Sequence, residues 1–351
     1  MSILTAPDYS HFDRPRPELH RQPATVSAEN AEVLALIDEM QAQLRSESRL
    51  KRLLRLRRIM DEGFTGSPLT AAQLGVEIEP ADASGVAAEW VTGPGAADNR
   101  RLLYMHGGAF AVGSPRSHRM ITAALSQSCG VAVLAIDYRL MPEHRRKSGI
   151  ADCQNAYRWM LGNGPAGPAV PEAVFVAGDS AGGSLALMLS AWARDEDIRR
   201  MDAVVAFSPS TDSTLANPSM SKNVETDPML GPGLGAPARL PGPLKSLAAF
   251  AATQMNPLNP LMSPLFGDLG DLPPTLVQAS DCEMLYDDAV RYVNKARRQG
   301  SPVTLQIWPE MVHVWQMFQH VLPEARLAID EVAAFIQSIG ASEHVDKASS
   351  G

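Results

Sequence analysis

Between Arg101 and Pro209, four short apolar runs alternate with three helical stretches. The runs are RLLYMH (101–106), VAVLAID (131–137), AVFVAG (173–178) and AVVAFSP (203–209), and the helical stretches fall at 116–128, 149–162 and 181–194. This alternation constrains the fold more than any other feature of the chain. A run that is apolar on both faces must be covered on both faces. A helix between two such runs carries the chain back so that the strands pair in parallel. GVEIEP (75–80) and VAAEWV (86–91), around a turn with Gly85, add two strands in front. TLVQAS (275–280) and VTLQIWP (303–309), around a helix at about 285–299, add two behind, and a last helix is expected over about 322–338. The expectation is an α/β fold with a mostly parallel eight-stranded sheet flanked by helices.

Two segments stand outside this rhythm. Residues 28–45 place Val33, Leu34, Ile37, Met40 and Leu44 at helical spacing. Residues 49–62 form a second, strongly basic helix with Leu50, Leu53, Leu54 and Ile59 among Arg49, Lys51, Arg52, Arg55, Arg57 and Arg58. Such a helix suits an anionic membrane surface, but a solvated face whose leucines dock on the protein's own body is the expected reading, so membrane association is not expected. Residues 211–262 are rich in Pro, Gly, Ser and Met and carry no strand pattern; a long connection of this kind usually covers a functional site.

Composition narrows the function. With 351 residues, 45% of them hydrophobic, the chain can build one large core or two smaller ones. A formal charge of −8 gives none of the basic field a nucleic-acid binder needs. Cys129, Cys153 and Cys282 are too few and too scattered for a disulfide framework or a zinc ribbon, and read as buried reduced thiols. The N-terminus has no apolar core of signal-peptide length, and no stretch approaches the roughly 20 apolar residues of a membrane span. The resulting expectation is a cytoplasmic protein, with the tail at 342–351 disordered.

The chemistry is concentrated in four places. Gly178-Asp179-Ser180-Ala181-Gly182 lies between a strand-like run and a helical run, the setting that a nucleophile presented on a tight turn requires. Side chains two residues either side of the serine would collide there, and Gly178 and Gly182 avoid this. His106-Gly107-Gly108-Ala109-Phe110 follows the strand RLLYMH. Its glycines let backbone N–H groups approach a developing oxyanion, with Gly107 and Gly108 supplying two donors and Ala181 a third. His313, in the loop after VTLQIWP, would project from the same sheet edge as Ser180 and suits a general base. His106 is expected to brace its loop and His320 to be structural. His11, His20 and His344 lie near the termini, and His118 and His144 lack a nearby pattern. Asp281, Glu283, Asp287 and Asp288, after TLVQAS, all stand in a suitable chain position for the carboxylate that orients the histidine. Asp287 and Asp288 also suit the start of the next helix, where they favour its dipole.

Taken together, HGGAF, YRLMPEH (138–144), GDSAGG and the late histidine resemble the hormone-sensitive-lipase-like esterases, the bacterial family IV of lipolytic enzymes. The Ser-Pro-Leu and Leu-Pro-Pro elements of SPLFGDLGDLPPTLVQAS (263–280) add to the likeness, which runs from about residue 75 to 340. The resemblance implies an α/β-hydrolase fold with a helical cap: N-terminal helices at 1–65, a catalytic core at 66–210 and 257–341, and a cap insertion at 211–256. It implies a carboxylic ester hydrolase acting through an acyl-enzyme on short- to medium-chain acyl esters, needing no metal or cofactor, and a homodimer is compatible with it. The family's acid register falls on Glu283, with Asp281 as the alternative. Ala109 stands where a third glycine is usual; its N–H is retained, while its methyl narrows the acyl side of the site. RRKSGIADC (145–153) departs from the family's proline-containing string. A lactonase or amidase with the same triad, or a ligand binder without turnover, are the competing readings.

Overall fold

The computed structural model describes residues 7–14, 26–45, 47–62 and 69–349; the boundary expected at residue 65, and His20, lie outside them. Two helices open the chain, α1 (Asn30–Arg45) and α2 (Arg49–Asp61). The sheet then begins with β1 (Glu77–Asp82), β2 (Ala87–Thr92) and β3 (Ala97–Met105). The alternating section follows as α3 (Arg119–Cys129), β4 (Val131–Ile136), α4 (Arg146–Met160), β5 (Ala173–Asp179), α5 (Ala181–Asp195) and β6 (Ala203–Phe207). After three short helices (Ser219–Lys222, Gly231–Ala238 and Gly242–Thr253) come β7 (Thr275–Ser280), α6 (Tyr286–Arg298), β8 (Val303–Trp308) and α7 (Pro323–Ser349).

The eight strands form one sheet in the order β1-β2-β4-β3-β5-β6-β7-β8. β2 runs antiparallel to β1 and β4; every other pairing is parallel. Strand periodicity divides the core in two. On β3, Leu103 and Met105 enter one apolar layer, while Leu102 and Tyr104 enter the layer on the opposite face. The central strands β4, β6 and β7 are buried along their whole length, and β4 and β6 are accordingly apolar throughout and do not alternate.

Two differences from the sequence reading lie at the ends of the chain. Helix α7 extends through Ser349, across most of the segment expected to be disordered. After Gly340 that segment has no proline and keeps good helix formers, so nothing stops the helix. In α1, Val33, Ile37, Met40 and Leu44 are buried, but Leu34 is not. In α2 only part of the leucine set docks: Leu53, Leu56 and Ile59 pack on the core, while Leu50 and Leu54 are exposed. The N-terminal segment is tied to the far end of the chain. Ser27 donates through its N–H and hydroxyl to the Glu324 carboxylate at 2.6 and 2.7 Å, and Asn30 donates to the Glu310 carbonyl. Among the described residues no helix is long and apolar enough to cross a membrane.

Candidate active site

The parallel topology delivers the carboxyl ends of β3, β5, β6, β7 and β8 to one edge of the sheet, and each contributes a loop to the site. Ser180 sits between β5 and α5 with φ 52° and ψ −114°, a left-handed conformation for a residue with a side chain. The neighbouring glycines make it feasible. A Cβ on Gly178 would lie 2.4 Å from the Gly182 carbonyl oxygen, and one on Gly182 would lie 1.9 Å from the Met105 carbonyl oxygen. The turn is therefore closed by direct backbone packing across the serine and against β3.

His313 lies in the loop after β8. Its Nε2 is 2.9 Å from Ser180 Oγ, and its Nδ1 is 2.6 Å from Glu283 Oε2. Glu283 is anchored from behind, where its Oε1 accepts from the Ser208 hydroxyl at 2.8 Å and the Ser280 N–H at 2.7 Å. Ser180, His313 and Glu283 are all buried. Burial raises the Glu283 carboxyl above its ordinary range, with the His313 hydrogen bond pulling the other way. Burial also opposes charge on His313, but the bond to Glu283 and its negative charge outweigh this and hold the imidazole above its ordinary 6.5. A raised imidazole with one nitrogen on a carboxylate and the other on a hydroxyl can accept that hydroxyl's proton and stabilise the resulting charge.

The competing carboxylates go elsewhere. Asp281 accepts from the Glu310 N–H at 3.0 Å. Asp288 accepts from the Thr211 and Asp212 N–H groups at 2.6 and 2.9 Å, and Asp287 from the Ser219 N–H at 2.7 Å. Both open α6, as the sequence suggests, but their carboxylates are spent fastening the start of the 211–256 segment to the core.

The loop after β3 differs from expectation in one donor. The Gly107 N–H points to Asp179 Oδ1 at 3.0 Å and is not available to a substrate. A Cβ at 107 would sit 2.0 Å from Asp179 Oδ2, so the glycine is there to admit the carboxylate. Gly108 and Ala109 line the cavity beside Ser180. Successive positive φ values at Gly108 (107°), Ala109 (52°) and Phe110 (60°) turn the chain there. For the two residues with side chains, strain of this kind costs roughly 1–3 kcal/mol each and persists only when the surroundings hold it.

Sequence reasoning missed the group that holds Asp179. Tyr104 donates to its Oδ1 at 2.6 Å, and His118 Nε2 lies 3.4 Å from its Oδ2. Burial would push the Asp179 carboxyl up, but His118, Tyr104 and His106 together bring it below its ordinary value. His106 packs on the Tyr138 ring at 4.3 Å and sets its Nδ1 2.7 Å from the Gly107 carbonyl; burial pushes its pKa down to about 3, so it braces the loop as a neutral ring. Only the spacing of His118 from the HGGAF string could have drawn attention to it.

A cavity of about 500 Å³ opens over Ser180 and His313. Met40, Leu44, Leu56 and Met60 of the N-terminal helices and Met229 and Leu230 of the 211–256 segment supply most of its apolar wall. The two covers meet where Gln41 donates to the Pro228 carbonyl at 3.4 Å.

A sequence profile described as alpha/beta hydrolase fold matches residues 102–317. An acetyl-hydrolase of Streptomyces hygroscopicus is 39% identical over 251 residues, which is 72% of this chain and 79% of that protein. Esterase LipU of Mycobacterium tuberculosis is 34% identical over 272 residues, 76% of this chain and 87% of that protein. The crystal structure of an esterase from the bacterial hormone-sensitive lipase family aligns with a TM-score of 0.76 at 33% identity, covering 90% of this chain and 99% of that one.

Proposed function

The chain belongs to the hormone-sensitive-lipase-like esterases of the alpha/beta hydrolase fold and is a carboxylic ester hydrolase, and from that premise we propose that Ser180, His313 and Glu283 are its catalytic triad and that short- to medium-chain acyl esters are its substrates. The observation that carries the triad is the continuous hydrogen-bonded line from Glu283 Oε2 through His313 to Ser180 Oγ, at 2.6 and 2.9 Å.

In this reading Ser180 Oγ attacks the ester carbonyl carbon while its proton passes to His313 Nε2. The carbonyl oxygen becomes an oxyanion held by the N–H groups of Gly108 and Ala181, with Ala109 taking the place first given to Gly107. One such donor is typically worth about 3–4 kcal/mol in the transition state. The tetrahedral intermediate collapses as His313 returns the proton to the departing alcohol. A water molecule, deprotonated by the same imidazole, then attacks the acyl-enzyme, and the acid leaves with Ser180 restored. Glu283 keeps the imidazole in the tautomer that presents a bare Nε2 to the serine.

We read α1, α2 and the 211–256 segment as a cap over this site. The acyl-length assignment draws on the apolar cavity wall and on the relative named an acetyl-hydrolase. A screen of p-nitrophenyl esters graded from acetate to palmitate tests it, with Ser180→Ala as the blank. Turnover is expected to peak at short to medium chains, and Ser180→Ala is expected to lose about five to six orders of magnitude in kcat. A peak at palmitate would overturn the substrate class; full activity in Ser180→Ala would overturn the triad.

A further inference from the structure

Helix α2 reaches the loop after β3 through one side chain. Arg57 Nε donates to the Ala111 carbonyl at 2.8 Å, next to the left-handed run at 108–110. Its Nη2 donates to the Met141 carbonyl at 3.0 Å, and its two terminal nitrogens grip both Glu143 oxygens at 2.8 Å. Met141 in turn donates its N–H to the Phe110 carbonyl at 2.8 Å. Arg57, Met141, Phe110 and Ala111 thus close a ring of hydrogen bonds around the outer side of the loop. On its inner side, the Arg146 guanidinium lies 3.4 Å from the centre of the Phe110 ring. One turn further along α2, Asp61 accepts from the Ser114 hydroxyl, so the helix is fastened to both ends of the 111–114 stretch.

We propose that Arg57 is a positioning residue for the oxyanion loop, holding Gly108 and Ala109 in place from the N-terminal helices. The proposal rests on the catalytic reading given above. It also gives the basic helix a purpose that its charge alone does not: one of its arginines is turned inward to two backbone carbonyls and a carboxylate. Because the Arg57–Glu143 pair is partly open to water, with side chains 25% and 52% exposed, it adds little to global stability. Its effect falls on the geometry of the loop it restrains. Movement of the cap helices and the quality of the oxyanion site are therefore linked through one guanidinium.

The test compares full-length wild type, Arg57→Ala, Arg57→Lys and Glu143→Gln, with active sites counted by a fluorophosphonate that labels Ser180. Arg57→Ala is expected to lose about 10- to 100-fold in kcat per labelled site, the size of effect that a loop displaced by about 1 Å produces. KM for p-nitrophenyl acetate is expected to stay within about threefold, and the melting temperature to fall by no more than about 3 °C. Added guanidinium ion, but not sodium at equal ionic strength, is expected to restore part of kcat. Lysine, which cannot span the three acceptors, is expected to rescue poorly. Glu143→Gln, which leaves both carbonyl bonds, is expected to show a smaller loss of kcat. An unchanged kcat in Arg57→Ala, a loss confined to KM, or a loss that tracks melting temperature and ignores guanidinium would overturn the proposal. Turnover surviving in Ser180→Ala would instead overturn the triad on which it rests.

Discussion

Glu283 and Asp281 are two positions apart, and the turn after β7 sends them in opposite directions. The Glu283 N–H bonds back to the Ser280 carbonyl at 3.3 Å, which folds the longer side chain under His313, while Asp281 is left at the surface on Glu310. Glu283→Ala is expected to lower kcat by about 10³- to 10⁴-fold. Asp281→Ala is expected to stay within about twofold of wild type, since it removes a single exposed bond. A crippled Asp281→Ala beside a healthy Glu283→Ala would reverse the assignment. The same pair sets the pH profile. His313 must be neutral to act as base, and Glu283 holds its proton on to a pH above the ordinary 6.5. The rate therefore rises with pH through a value above 6.5 and is lost in acid. In Glu283→Gln the charge is gone and burial dominates, so the acid limb is expected to move to lower pH while the rate falls. Ser180 and His313 could be placed at one sheet edge because each follows a recognisable strand, whereas position alone left four carboxylates open and only the family register favoured Glu283. Ser208, which grips the far oxygen of Glu283, was not, since a serine after a buried strand looks like any strand end.

At the scale of elements, the strand–turn–helix around Ser180 was the most readable part of the chain. Its glycines are required by a contact four residues apart in sequence and by contacts directly across to β3, and the first of these is a local signal that survives without a structure. Gly182→Ala is expected to destabilise the fold by about 3 kcal/mol or more, because its Cβ would meet only rigid backbone, the Met105 carbonyl oxygen at 1.9 Å and the His106 carbonyl oxygen at 2.6 Å. A urea midpoint equal to wild type would contradict the packing described. The HGGAF loop was read less well. Its glycines correctly marked a close backbone approach, but the approaching group at Gly107 is the carboxylate of Asp179, 72 positions away. The period of a sequence cannot register a partner at that separation. The start of α6 behaves similarly: helix-dipole reasoning places Asp287 and Asp288 correctly, while their bonds to residues 211–219 belong to the tertiary fold.

At the scale of the whole molecule, the cavity exists because distant segments meet around Ser180: residues 38–45, 52–60, 108–118, 228–233 and 313–317. Each alone reads as an ordinary helix face or loop, so no pocket shape could be read before the segments came together. Leu56→Trp, which fills the wall supplied by α2, is expected to raise KM for an octanoate ester about tenfold or more while leaving an acetate ester within about threefold. Equal effects on both esters would place the acyl chain elsewhere. The bond from Ser27 to Glu324, spanning 297 positions, carries a different implication. On the ribosome the first helices emerge long before the surface that receives them, and Ser180 is made well before His313. A nascent chain stopped short of residue 310 has Ser180 and the loop at 107–110, but neither His313 nor the helix that carries Glu324. Seating of the N-terminal helices therefore waits on a segment made 297 positions after Ser27.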